Sequence, residues 1–193
     1  MESSSTNLFQ LHLDTLLNNM DSLTDSITPA VQMLASTILN DNKIFTCGNG
    51  FGGAIAQMFC QQMLNHTKQE RPALPAFCLN DSATTISAIS HRYKYNEVYA
   101  RQLRALAQAG DCLMVIDSDQ QYSNLNAAIQ TAHDRDVNVI VIHPNSSQNI
   151  LSLLNELDVS VGIECESQAI LQQIELLVVS AITEQIEHIL FGH

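Results

Sequence analysis

Four of the chain's seven glycines fall within six residues, Gly48, Gly50, Gly52 and Gly53, in the stretch Lys43–Gly53, K-I-F-T-C-G-N-G-F-G-G. Ahead of them Ile44, Phe45 and Cys47 form a short apolar run with β-branched and aromatic character. Such a run, closed by glycine, predicts a buried strand. Behind the glycines, Ala54 to Leu64 predicts a helix. A strand, a glycine loop and a helix N-terminus together aim backbone N–H groups and the positive end of a helix dipole at an anion. Glycine allows the sharp turn and the close approach of a ligand. The same pattern also makes a tight strand–helix turn with no ligand, so spacing alone leaves both readings open.

Other reactive residue types are scattered. His66, His91, His133, His143, His188 and His193 show no HxxxH or paired spacing, and metal sites need clustered ligands. Cys47 lies just before the predicted helix, where a thiol can be acidified, but no histidine is placed by sequence to pair with it. Glu184, Glu187 and His188 read as a solvated helix face.

Four short motifs occur in order: C-G-N-G at Cys47–Gly50, E-R-P at Glu70–Pro72, L-P-A at Leu74–Ala76 and A-G-D at Ala109–Asp111. Together they resemble the sugar isomerase (SIS) domain family, over nearly the whole chain to Leu190-Phe191. The branches resembled most are phosphoheptose isomerase and DiaA, the DnaA initiator-associating protein. The resemblance implies an α/β fold, a three-layer αβα sandwich on a parallel, Rossmann-like sheet of flavodoxin type. It also implies a cleft at Asn49, Gly50, Gly52, Gly53, Asp117, Ser118 and Asp119.

Several positions depart from the isomerase pattern. Gly52 stands where the family has a serine, with bulky Phe51 beside it. The later phosphate loop, S-T-S-G-N-S in the family, reads Asp117-Ser118-Asp119-Gln120-Gln121-Tyr122. Two carboxylates there would repel a dianionic phosphate by several kcal/mol in a partly desolvated cleft, of the order Coulomb's law gives. Gln62 aligns with the catalytic Glu of the isomerase branch and Ser180 with its His. Neither side chain titrates usefully near neutral pH. Of the zinc-binding positions in that branch, one is Met58 here and only Gln172 matches, which is not a zinc donor set. No cofactor and no metal are expected.

The resulting expectation is a vestigial cleft and a non-catalytic scaffold of the DiaA type. Such a scaffold would bind the DnaA replication initiator as a homotetramer, using multivalency, with Leu190 and Phe191 as the partner-binding tip. The alternatives are a phosphoheptose (sedoheptulose 7-phosphate) isomerase-like enzyme and a sensor of a sugar-phosphate derivative.

The elements that must hold these residues follow from periodicity. Leu8–Met20 and Ile27–Leu39 predict two N-terminal helices, with Pro29 in the first turn of the second, where proline is tolerated. After the glycine loop come a strand at Ala73–Leu79, a helix at Ser82–Ser90, a loop, and a helix at Glu97–Gln108 closed by Gly110. Cys112–Ile116 and Val137–Ile142 are continuous apolar runs, as strands buried on both faces should be. Helices at Ser123–Arg135 and Gln148–Leu154 follow those two strands, and Asp158–Ile163 predicts an edge strand. From Ser167 to Phe191 runs the longest predicted helix, apolar around most of its circumference, which suggests burial on several sides and a subunit contact. The expected division is an N-terminal helical segment at residues 1–41, packed in the oligomer, and, as the resemblance implies, the SIS domain at 42–193. Alternating strands and helices require a parallel sheet, with ligands beyond the carboxyl ends of its strands.

The chain has 193 residues and a formal net charge of −12. That length supports one substantial core. The charge argues against direct contact with nucleic-acid phosphates and with an anionic membrane surface. No apolar run reaches spanning length, and Met1–Leu8 lacks the pattern of a secretory signal. The five cysteines have an odd count and no CxxC spacing, which suits reduced thiols in the cytoplasm.

Overall fold

The computed structural model describes residues 4–65, 69–118 and 123–192. The expected helix of residues 8–20 and that of 27–39 are one continuous helix, α1 (Ser4–Leu39). Its residues 21–26, polar in sequence, stay helical because Leu23 and Ile27 carry the buried stripe onward to Ala30, Val31 and Leu34. Threonine hydroxyls bond back to carbonyls four residues earlier, as Thr24 does to Met20 and Thr28 to Thr24. Pro29 therefore sits inside a helix rather than in a first turn. An interior proline costs about 3 kcal/mol, and the burial around it offsets that.

The remaining elements follow in order: β1 (Ile44–Gly48), α2 (Phe51–Leu64), β2 (Ala76–Cys78), α3 (Ala83–Arg92), a single 3-10 turn at Tyr95–Glu97, and α4 (Ala100–Leu106). Then come β3 (Cys112–Ile116), α5 (Ser123–His133), β4 (Asn138–Pro144), α6 (Gln148–Leu151), β5 (Val159–Ile163) and α7 (Gln168–Phe191). The sheet is wholly parallel, in the order β2-β1-β3-β4-β5. This is the predicted flavodoxin-type topology, with its switch point between β1 and β3.

Each central strand divides its side chains between two cores. Cys112, Met114 and Ile116 of β3 face one cluster with residues of α1, α2 and α7. Leu113 and Val115 face another with residues of α4 and α5. That is the physical basis of the uninterrupted apolar runs and of the three layers. β2 is shorter than expected because Pro72 and Pro75 stand before it. Pro75 accepts from the Ile44 N–H but has no N–H of its own to give, so the registered pairs begin at Ala76.

The buried face of α7, including Ile174, Val178, Val179, Ile182 and Ile186, belongs to this chain's own core. Only Leu177 and Ile189 of its large apolar residues are exposed. Asn19 fixes α1 to the far end of β5. Its amide donates to the Glu164 carbonyl at 2.8 Å, and the Glu164 N–H donates back at 2.7 Å. Among the described residues no helix is long and apolar enough to cross a membrane.

Candidate functional site

The glycine loop leaves β1 at the switch point and is fastened from three sides. Gly50 adopts a left-handed φ of 52°, which removes the steric penalty an L side chain would meet there. A Cβ at Gly48 would lie 2.5 Å from the Gly52 carbonyl carbon. Asn80, just past β2, accepts from the Gly48 N–H at 3.2 Å and donates to the Gly48 carbonyl at 2.8 Å. The Tyr99 hydroxyl donates to the same carbonyl at 2.6 Å and accepts from Asn80. Burial raises the Tyr99 pKa well above its ordinary value, so the hydroxyl remains a donor.

Asn49 is buried and pairs reciprocally with Asn124 of α5, at 2.9 and 2.8 Å. This amide pair joins the loop after β1 to the first turn of α5 across the switch point. Gly52 is packed against β3: a Cβ there would meet the Ile116 carbonyl oxygen at 2.7 Å and the Ser118 hydroxyl at 3.0 Å. The absence of a side chain at Gly52 thus lets the loop close onto β3.

At the end of β3, Asp117 and Ser118 are both buried. The Asp117 carboxylate accepts from Ser147 of the β4–α6 loop at 2.9 Å. One oxygen of this carboxylate is thus engaged by the protein itself, at the end of β3 where the sequence places the cleft. Ser118 donates to Glu175 of α7 at 2.6 Å, and Gln168 donates to the Ser118 carbonyl at 2.8 Å. Ser118, Ser146, Glu166, Gln168 and Leu171 line a cavity of about 400 Å³ at this end of the sheet. Asp119, like Gln120, Gln121, Tyr122 and His66, lies outside the described residues.

Behind the loop, α2 lies against α7. Gln62 donates to the Ser180 hydroxyl at 3.4 Å and accepts from Thr183 at 3.1 Å. The two positions that the resemblance aligns with an acid–base pair are therefore neighbours in space, 118 residues apart in sequence. Met58 is exposed and Gln172 half-buried. Met58, Gln62, Gln172 and Ser180 are neutral, and Gln62 is already engaged by two hydroxyls, so these residues do not fit the zinc of the isomerase branch.

Arg71 closes the seam. Its side chain is 1% exposed and meets Glu187, 4% exposed, at 2.8 Å. It also donates to the carbonyls of Gln62 and Met63 in the last turn of α2. The Phe191 ring lies beneath its guanidinium, 5.9 Å from centroid to Cζ. Leu190 and Phe191 are half-buried and pack against the core. Glu187, expected on a solvated face, is buried in this ion pair.

His143 is buried, with Nδ1 against the Pro144 carbonyl and Nε2 against the Ser160 hydroxyl, both at 2.8 Å. A carbonyl can only accept, so Nδ1 carries the proton in the neutral ring and Nε2 accepts. Burial raises the Cys47 thiol well above its ordinary value, so Cys47 is inert despite its place before α2. Among the described residues no three His, Cys, Asp or Glu side chains gather as a metal site.

Sequence reading missed Asn80, Tyr99, Asn124, Glu175 and Thr183. Each acts across a long sequence gap and carries no local pattern. Arg71 was within view as part of E-R-P, but its buried partner was not.

Comparison with known proteins bears on this geometry. The SIS domain model matches residues 9–143. "Phosphoheptose isomerase" of Alkalilimnicola ehrlichii is 37% identical over 90% of this chain and 88% of its own length. The protein of the same name from Methylococcus capsulatus is 35% identical over 95% of this chain and 94% of its own. A solved structure of a phosphoheptose isomerase from Francisella tularensis superposes with a TM-score of 0.92 at 29% identity, covering 95% of this chain and 96% of that one. These relatives overturn the expectation of a non-catalytic, DiaA-like scaffold that binds DnaA in replication initiation. Their names are those of an enzyme, and the match spans nearly the full chain. The expectation rested on departures at a few positions, Gly52, Met58, Gln62, Asp117, Asp119 and Ser180, whereas the similarity extends over 90–95% of the chain.

Proposed function

The chain belongs to the SIS domain family, and we propose from that premise that it is a phosphosugar isomerase of the phosphoheptose class. The observation that carries the reading is the Gln62–Ser180 contact, which brings the two aligned positions together at the α2–α7 seam. The glycine loop and the N-terminus of α2 receive the anionic end of the sugar. Gln62, Ser180 and Thr183 are neutral hydrogen-bonding groups that orient sugar hydroxyls. Isomerisation also needs a group that carries a proton. Glu175 takes that role, linked to the cavity through the Ser118 hydroxyl.

The working form we propose is a homotetramer. The N-terminal half of α1 supports this, since Leu8, Phe9, Leu11, Leu13, Leu17 and Met20 are all exposed there. A cytoplasmic location is supported by the five free cysteines.

Turnover of sedoheptulose 7-phosphate, with and without added zinc, tests the reading, alongside thermal stabilisation by the same compound. Catalysis above background that is lost in Glu175→Gln is the expected result. Stabilisation without turnover would overturn the enzymatic reading, and neither response would overturn ligand binding as well. Light scattering at micromolar concentration giving a monomer mass would overturn the tetramer.

A further inference from the structure

Thr46 of β1 stands between two thiols. Its hydroxyl is 3.2 Å from the Cys60 sulfur on α2. Its register partner on the neighbouring strand is Cys78, the last residue of β2. Residue alternation puts Cys78 on the same sheet face as Ala76 and Ile44, and that face is covered by α2. Cys60 and Cys78 accordingly lie in one buried cluster. Neighbouring strands are about 4.8 Å apart, so a helix residue touching Thr46 from above is within reach of the side chain beside it. The Cys78 sulfur in turn donates to Asn80 Oδ1 at 3.8 Å, and Asn80 holds Gly48.

We propose that Cys60 and Cys78 form a peroxide-oxidisable thiol pair, a modification site at the back of the glycine loop. The two thiols differ in kind. The neighbouring Cys60 thiol holds the Cys78 thiol below its ordinary value. The same contact, with burial, holds Cys60 above its own. Cys78 is also the more accessible, 9% exposed against 3% for Cys60. The thiolate is the nucleophile in such chemistry, and the more accessible Cys78 meets the oxidant first while Cys60 resolves.

The oxidant is a hydroperoxide, ROOH. The Cys78 thiolate attacks the terminal peroxide oxygen, the O–O bond breaks, and RO⁻ leaves and is protonated to ROH. Sulfur loses two electrons and becomes the sulfenic acid Cys78–S–OH. Cys60 then gives up its proton and attacks that sulfur, displacing hydroxide, and proton and hydroxide leave as water. The sum is two thiols and one hydroperoxide giving one disulfide, one alcohol and one water. A thiol reductant reverses it by exchange. The reaction removes the Cys78 S–H that donates to Asn80, so oxidation reaches the loop that Asn80 fastens.

Hydrogen peroxide at modest molar excess over the full chain, followed by alkylation under denaturing conditions and peptide mapping, tests the proposal. The expected product is a peptide pair joined through Cys60 and Cys78, two hydrogens lighter than the reduced peptides and restored by dithiothreitol. Cys112 and Cys47 should remain alkylatable. In Cys60→Ala, with no resolving thiol, Cys78 should instead be trapped by dimedone as sulfenic acid. Cys60 and Cys78 still fully alkylatable after peroxide would overturn the proposal, as would a disulfide joining other cysteines. The wild-type map decides the matter even where a variant fails to fold.

Discussion

The Gln62 amide on α2 and the Ser180 hydroxyl on α7 meet at 3.4 Å, with Thr183 donating to the other end of the same amide. Both side chains are neutral, so this contact donates and accepts hydrogen bonds but carries no proton near neutral pH. Placing a carboxyl at this point is therefore informative. Gln62→Glu keeps the size of the side chain and gives Ser180 and Thr183 an acceptor. A positioned acid or base contributes about 10²–10⁴-fold, so kcat should rise at least about a hundredfold on the phosphosugar. An unchanged kcat would mean that the seam is not where the sugar reacts.

The ion pair behind that seam should dominate stability. Removing one partner of a buried pair costs about 3–5 kcal/mol, because the other charge is left without its counterion. Arg71→Met should lose this much in urea unfolding, and also the bonds that close the end of α2. The double variant Arg71→Met, Glu187→Leu should recover part of the loss. Additive losses would show that the two side chains do not act together.

Tyr99→Phe isolates the bridge under the glycine loop. The variant keeps the ring in its core cluster and removes the donor to the Gly48 carbonyl. Leaving a buried polar group unsatisfied costs about 1–3 kcal/mol, although Asn80 still reaches that carbonyl. A loss of about 1 kcal/mol is expected, together with weaker thermal stabilisation by a sugar phosphate. Full retention of both would separate the loop from Tyr99.

His143 makes stability depend on pH. Burial, the largest effect on it, lowers its pKa below the ordinary 6.5. The folded state therefore binds fewer protons than the unfolded one, and stability falls as pH drops. The contribution is complete above about pH 6.5, the unfolded value, and is lost as pH falls through the lower folded value. Urea midpoints at about pH 7.5, 6.5 and 5.5 should decline more steeply for the wild type than for His143→Gln. Parallel slopes would assign the decline to other groups.

Much of the architecture was legible before any coordinates. Cys112–Ile116 and the run of residues 137–142 are apolar without interruption because both faces of those strands are covered, and that pattern needs no tertiary knowledge to detect. Alternation of such runs with helical periodicity selects a parallel sheet. The glycine cluster marks a place where backbone must turn tightly beside β3. These are local signals, and one-dimensional order carries them.

What the sequence alone determined was therefore the strand pattern, the glycine loop and the neutrality of Gln62 and Ser180. Tertiary structure decided whether α1 breaks, because the burial of Leu23 and Ile27 against the core outweighs the local preference of the polar residues between the two apolar segments. It decided that Asp117 faces Ser147 and that Glu187, surface-like in its helical pattern, pairs with Arg71. It also set Asn80 on both polar atoms of Gly48, 32 residues away in the chain. Hydrogen bonds and ion pairs are contacts between two side chains, and their partners come from elements whose spacing in sequence carries no period. Periodicity reports which face of an element is buried; only the packed fold determines what each buried polar group meets there.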